Sequence, residues 1–363
     1  MALFFGDFRA APVGALGFWR SAPSSPPLRS SRRRILPIQQ QSSYGPLAPP
    51  VAEGPKLKQP KSGKLPMHEA KASQTAQIIA LMRAIGQLSP QVPGFHDPLA
   101  ARFLVPPYSN LLKAIQAGGL YARLRSRFEV LGGMAVFNQF RTVVLDAAIA
   151  QAPAFTQLVI LGAGYDSRAW RLPNLAHATV FEVDHPSTQA TKRRQIGELH
   201  PLSRALHYVP VDFAADDLDA CLERAGHDPQ QPTFWLWEGV VMYLDQESVA
   251  ATMQAALKRS IQGSSLALTY MNQHHNPLKA LTTGFLAMLG EPHKVSFTAD
   301  DLKAFAATCG WQALSDTGIK DWRQTLAPAL RLSSVSVGPQ WHERIWVGAA
   351  QAASARLPLN KVG

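Results

Sequence analysis

Residues 158–184 read LVILGAGYDSRAWRLPNLAHATVFEVD. The stretch opens on four apolar residues, Leu158, Val159, Ile160 and Leu161, the length of a strand buried on both faces. Gly162 and Gly164 follow at once, where a turn lets backbone approach a ligand closely. A second apolar run, Thr179-Val180-Phe181-Glu182-Val183-Asp184, ends in acid. A glycine turn after one strand and a carboxylate about 20 residues on are the parts of a nucleotide-type cofactor site. The glycines admit the backbone-hugging part of the ligand, and the acid accepts hydrogen bonds from ribose hydroxyls. Glycines at such a turn also occur in other α/β proteins, so the rest of the chain has to decide.

Downstream, strand and helix alternate. Residues 186–199 read as helix and 205–211 as a third strand leading to Asp212-Phe213. Helix is expected over 216–225, then a fourth strand over 233–237 that runs into Glu238-Gly239. Asp245 is placed to cap a helix reaching Ser260, and 264–271 reads as a fifth strand. Thr298-x-x-Asp301 is a capping-box variant that starts another helix, ending at Cys309-Gly310. Residues 311–317 and 343–351 read as two last strands. Repeated βα units of this length predict an α/β, doubly wound parallel sheet of Rossmann-like type.

Upstream, the pattern is helical. Ile78, Leu81, Met82 and Ile85 repeat at helical spacing, with Ser73 as the expected N-cap. Asp97-Pro98 reads as the cap and first residue of a short helix. Residues 109–152 read as helix interrupted at Gly118-Gly119 and Gly132-Gly133. This gives an N-terminal helical preface at 67–152, an α/β core at 153–352 and a loose C-terminus at 353–363.

The net charge of +11 is unevenly spread. Residues 1–66 hold six Arg and four Lys against Asp7 and Glu53, a balance of +8, so the remaining residues carry only +3. The globular part therefore lacks a strong electrostatic footprint for phosphates, which argues against a nucleic-acid partner. The first 66 residues also contain 11 of the 28 prolines and read as a disordered tail. Three origins compete for it: a transit peptide, a partner-binding tail, or sequence upstream of a true start at Met67, the reading favoured because ordered-looking sequence begins just after that residue. Two cysteines, Cys221 and Cys309, suit a reducing compartment, and with no His-x-x-x-His pair no metal site is expected. No apolar run reaches the roughly 20 residues of a membrane span. The expected location is the cytoplasm, or an organelle if residues 1–66 are a transit peptide.

Ligands of open α/β sheets sit at the carboxyl ends of the strands. By this reading strand one ends in Gly162, strand two in Asp184, strand three in Asp212 and strand four in Glu238. Buried carboxylates need hydrogen-bond partners. Ribose hydroxyls, an adenine amino group and an α-ammonium would serve all three, and S-adenosyl-L-methionine carries every one of them. A dinucleotide would favour a third glycine where Tyr165, Asp166, Ser167 and Arg168 stand. An acidic edge also suits a cofactor that is cationic at sulfur and has no phosphate.

The motifs together resemble the leucine carboxyl methyltransferase family, in its bacterial branch of S-adenosyl-L-methionine-dependent enzymes with a class I methyltransferase sheet. The resemblance rests on Arg83, His96-Asp97-Pro98, Arg141-Thr142, LGAGYDSRAWRLP at 161–173, FEVDHP at 181–186, VPVDF at 209–213 and PTFWLWEGVVMYL at 232–244. It implies that Arg141 pairs with the cofactor's carboxylate and that the backbone at Gly162, with Gly164 completing the turn, touches the methionine moiety. It implies that Asp184 binds the ribose, Asp212 meets the adenine amino group and Phe213 packs on the ring. Glu238 is then the partner of the ammonium. Phe213 stands where relatives often have leucine, and Gly239-Val240-Val241-Met242 replaces a common leucine or valine run, which affects the pocket's shape.

Plainer roles exist for several of these residues. Asp184 could cap the helix after Pro186, Asp212 could shape a turn, and Arg141 could be a solvated surface charge. Glu182 is expected to make a structural hydrogen bond, and Trp235 and Trp237 to be core. Tyr243, His274 and His275 are the candidates for a general base. The expected activity is O-methylation of a carboxylate or hydroxyl on a small molecule. An NAD(P)-dependent oxidoreductase and a non-catalytic cofactor-binding protein are the alternatives.

Overall fold

A computed structural model describes residues 67–118, 125–213, 216–273, 294–330 and 342–351, with side chains placed from residue 74 and, in the long helix, from residue 132. Seven strands form one sheet: β1 (Gln157–Leu161), β2 (Thr179–Asp184), β3 (Ala205–Pro210), β4 (Thr233–Trp237), β5 (Ser265–Met271), β6 (Trp311–Gly318) and β7 (Glu343–Ala350). Their order across the sheet is β3-β2-β1-β4-β5-β7-β6. β1 to β5 pair in parallel, whereas β7 runs antiparallel to both β5 and β6. The expected doubly wound sheet is present, and the parallel direction expected of its strands is corrected at β7. β6 and β7 carry the same kind of apolar pattern whichever way they run, so periodicity does not report direction.

Helices cover both faces. On one side lie α1 (Met67–Leu88) and α3 (Arg125–Gln151), with the shorter α2 (Tyr108–Gln116) among the helices of the N-terminal part. Ala80, Leu81, Met82, Phe137, Phe140, Leu145 and Ile149 pack there against Leu158, Ile160, Val180 and Leu236. On the other side α6 (Leu218–Arg224), α7 (Gln246–Lys258) and α8 (Ala299–Thr308) press Leu222, Val249, Met253, Leu302 and Ala306 onto Val159, Leu161, Phe181, Trp235 and Trp237. Alternate residues of each central strand thus feed opposite cores, which is why β1 and β4 are buried at all five positions. Trp235 and Trp237 are core, as expected. The single turn α4 (Arg168–Arg171), α5 (Pro186–Ile196) and α9 (Ile319–Leu326) complete the helices used below.

Several local expectations need correction. α1 begins at Met67, so Ser73 lies within the helix and does not cap it. α3 runs unbroken through Gly132-Gly133. A helical glycine costs only about 1 kcal/mol relative to alanine, and Phe137, Phe140, Leu145 and Ile149 further along α3 are buried, which outweighs it. After Asp97-Pro98 comes a short 3-10 turn, Ala100–Phe103, with Leu99 at its cap position. Asp97 is buried and turned inward, ion-paired to Arg83 at 3.0 Å and accepting from Ser167 at 2.8 Å. At α5 the N-cap is His185, whose ring accepts from the Ser187 N–H, and not Asp184. Asp245 caps α7, and the Thr298/Asp301 capping box of α8 is present. Among the described residues no helix is long and apolar enough to cross a membrane.

Candidate functional site

The strand order reverses between β1 and β4: β1 leads outward to β2 and β3, and β4 to β5. A crevice opens outside the carboxyl ends of the strands at such a switch point. Gly162 follows β1 there and Glu238 follows β4, so the topology alone brings those two residues face to face.

The glycine turn is tightly constrained. Gly162 has φ +67° and Gly164 φ +47°, both in the left-handed region. A Cβ on Gly162 would sit 2.5 Å from Val240 Cγ2, so the end of β4 approaches closer than any side chain there allows. Asp184, at the end of β2, fastens the turn: its Oδ2 accepts the Gly164 N–H at 2.5 Å and its Oδ1 the His185 N–H at 2.7 Å. Burial raises the Asp184 pKa, and these two N–H groups and Lys192 only partly oppose that rise.

Glu238 is the centre of an ionic network. Its carboxylate lies 2.8 Å from Arg141 Nε and 2.8 Å from Arg168 Nη1. Arg141, on α3, is 4 % exposed. Its Nη1 reaches both oxygens of Glu343 at 3.0 and 3.1 Å, and its Nη2 donates to Asn138 at 2.9 Å. The expectation of a possible solvated surface charge for Arg141 therefore fails; it is buried between two carboxylates. Arg168 also contacts Asp166 and reaches Asp146 at 2.7 Å. Arg171 binds the same Asp146 carboxylate at 2.5 and 3.0 Å.

The electrostatics follow from these distances. Burial alone would raise Glu238, but Arg168 and then Arg141 outweigh it and hold the carboxyl below its ordinary value. At Asp166 burial is likewise overcome, chiefly by Arg168, and the pKa falls to about 2. Glu343 goes the other way: burial raises it and Arg141 compensates only in part. The guanidinium of Arg141 is pushed up, because Glu343 and Glu238 outweigh its own burial, with Tyr243 close enough to add to the effect.

Sequence-expected residues thus fall into three groups. Arg141, Gly162, Gly164, Asp184 and Glu238 come together at the switch point, with Tyr243 nearby in the 3-10 turn Val241–Tyr243. Asp212 and Phe213 follow β3, beside the Asp184 strand. The Asp212 N–H there donates to the Asp216 carboxylate at 2.8 Å, the Asp212 carbonyl accepts the Asp216 N–H at 2.7 Å, and Phe213 is 42 % exposed. His274 and His275 lie outside the described residues. Glu343, Asp146, Asp166 and Arg168 were not singled out as site residues. Arg168 and Asp166 did offer a signal, opposite charges two apart in a turn beside the glycines; Glu343, 202 residues from Arg141, offered none.

A family model described as leucine carboxyl methyltransferase matches residues 76–256. A protein of Frankia alni named "Putative S-adenosyl-L-methionine-dependent methyltransferase" is 32 % identical over 206 residues, 54 % of this chain and 67 % of that protein. A protein of the same description from Mycobacteroides abscessus is 33 % identical over 201 residues, 53 % of this chain and 63 % of its own length. Among solved structures, a DUF574 family protein of Streptomyces avermitilis superposes with a TM-score of 0.49 at 14 % identity, covering 76 % of this chain and 97 % of that one. The chain belongs to the leucine carboxyl methyltransferase family.

Proposed function

We propose that this S-adenosyl-L-methionine-dependent methyltransferase moves the donor's methyl group onto an oxygen, carboxylate or hydroxyl, of a small molecule in the cytoplasm. The observation that supports the reading is the pairing of Glu238 with Arg141 at 2.8 Å on the switch-point rim. The donor ends in an ammonium and a carboxylate on one carbon, and adjacent opposite charges on the protein suit it. Arg141 would take the carboxylate and Glu238 the ammonium. Asp184 would accept from the ribose hydroxyls, its carboxylate already aimed by the N–H groups of Gly164 and His185. Asp212 would meet the adenine amino group, with exposed Phe213 available to cover the ring. The glycine turn leaves room for backbone contact beside the methionine moiety.

When bound, the cofactor supplies an electrophilic methyl group. The protein's contribution is to hold that group in line with the acceptor, the main source of rate in such a displacement. A carboxylate acceptor is ionised at neutral pH and needs no base. A hydroxyl acceptor needs one within about 3 Å, for which Tyr243, His274 and His275 are the candidates. The near-neutral charge of the chain after residue 66 favours a small molecule over nucleic acid as acceptor.

The test is incubation with methyl-labelled donor and fractionated cell extract, followed by mild alkali. Label in the small-molecule fraction is expected. A methyl ester releases volatile methanol in base and an aryl or alkyl ether retains its label, so the acceptor oxygen is identified directly. Label found only on protein or nucleic acid, or a product methylated on nitrogen, would contradict the proposal.

A further inference from the structure

We infer that Glu343 is a specificity-determining residue, whose carboxylate leaves the ionic cluster around Glu238 one negative charge in excess and so favours the sulfonium donor over the thioether product. The inference rests on the switch-point rim being the cofactor site.

The cluster joins Arg141, Arg168 and Arg171 to Asp146, Asp166, Glu238 and Glu343. Three guanidinium groups face four carboxylates, a formal balance of −1. The neighbouring Arg83–Asp97 pair, reached through Ser167, adds one of each sign and changes nothing. S-adenosyl-L-methionine carries an ammonium, a carboxylate and a sulfonium, net +1. After methyl transfer the sulfur is an uncharged thioether, and S-adenosyl-L-homocysteine is net zero. Asp184 on the same rim adds a further carboxylate held by backbone N–H groups; the donor's extra positive charge offsets one negative charge of the site, and the product offsets none. Charges in such sites are weakly screened by salt, so the difference is felt as affinity.

Glu343 is one of the four carboxylates that set this balance, and its ion pair is to Arg141 alone among the three arginines. Without it Arg141 and Glu238 would offset each other and the count would be zero. It is also held in place. It opens β7 opposite Met271 on β5, is 3 % exposed, and lies 3.0 Å from Arg141. The Thr269 hydroxyl accepts the Gly239 N–H at 2.8 Å and donates to Glu343, so the carboxylate is tied to the chain just after Glu238. A charge fixed there cannot swing out to solvent when the product forms.

The test measures the dissociation constants of both ligands by calorimetry, for wild type, Glu343→Gln and Glu343→Asp. The two ligands share their adenosine and aminocarboxylate ends, so damage to the fold or to the Arg141 position weakens both and cancels in their ratio. Glu343→Gln is expected to lower the preference for donor over product about tenfold, the order of one unit charge roughly 10 Å away at an effective dielectric of about 20. Glu343→Asp, which keeps the charge, is expected to restore most of it. An unchanged ratio in Glu343→Gln overturns the inference and leaves the cofactor site standing. Should Glu343→Gln fail to fold, the wild type decides: it must bind the donor more tightly than the product, and the reverse order overturns the inference. A wild type that binds neither ligand overturns the cofactor-site reading itself, and this inference with it.

Discussion

At Gly162 the backbone has φ +67°, and an added Cβ would stand 2.5 Å from Val240 Cγ2. Both strain and overlap oppose any side chain there. Gly162→Ala is expected to cost about 1–3 kcal/mol in urea denaturation and to weaken cofactor binding together with stability. His227 gives a second prediction at the same scale. Its Nδ1 accepts from Arg259 Nε at 3.2 Å, so the proton sits on Nε2, which faces Thr233 Oγ1 at 3.1 Å. Burial first, and then Arg259, depress its pKa to about 4. The folded ring therefore takes up a proton less readily than the unfolded one, whose pKa is about 6.5. Its contribution is present above that value and is lost as pH falls toward 4. The His227 term is isolated as the difference in stability between wild type and His227→Gln at each pH, measured by denaturation, and that difference is expected to move against the wild type by roughly 2–3 kcal/mol between pH 7 and 4. Residues such as Gly162, Asp184 and Glu238 were legible because each sits in a short motif at a strand end. The partners that neutralise them were not, because Asp146 and Glu343 come from elements distant in sequence and only the folded chain sets them against Arg168 and Arg141.

Between elements, the most demanding contact joins β2 to α5. Glu182 and Lys192 are ion-paired at 2.6 Å and both are essentially inaccessible to water. Burial raises Glu182 to about 7 despite the ammonium beside it, so the pair is under desolvation cost. The Lys192 ammonium also lies over the Trp170 ring at 5.4 Å and the Phe103 ring at 5.8 Å. Removing one partner strands the other, whereas replacing both removes the burden. Lys192→Met alone should cost about 3–5 kcal/mol, and the double change Glu182→Leu with Lys192→Met much less. A double-mutant cycle in denaturant measures this, and additive effects would refute it. A hydrogen-bonding role for Glu182 was expected from its strand position, but its partner on the following helix was not. Element boundaries were read well where capping chemistry marks them, as at Asp245 and Thr298. They were misread where packing overrides propensity, as in α3 across Gly132-Gly133, and where strand direction matters, as in β7.

For the molecule as a whole, the strand order places β1 beside β4 and so gathers Gly162, Arg141 and Glu238 at one carboxyl edge of the sheet. The fold class was legible because βα units repeat at regular length, whereas the antiparallel edge that delivers Glu343 was not. The central claim is that this rim grips the amino-acid end of S-adenosyl-L-methionine, and Glu238→Gln isolates it. Arg141 keeps Glu343 and Arg168 keeps Asp166 and Asp146 when Glu238 loses its charge, so the fold should survive. The decisive measurement is calorimetric titration of S-adenosyl-L-methionine into wild type and Glu238→Gln. Saturable one-to-one binding by the wild type is predicted, weakened about tenfold or more in the variant by the loss of a charge-assisted bond, at nearly unchanged melting temperature. Equal affinity in the two proteins, or saturable binding of NADH in place of the methyl donor, would contradict the account.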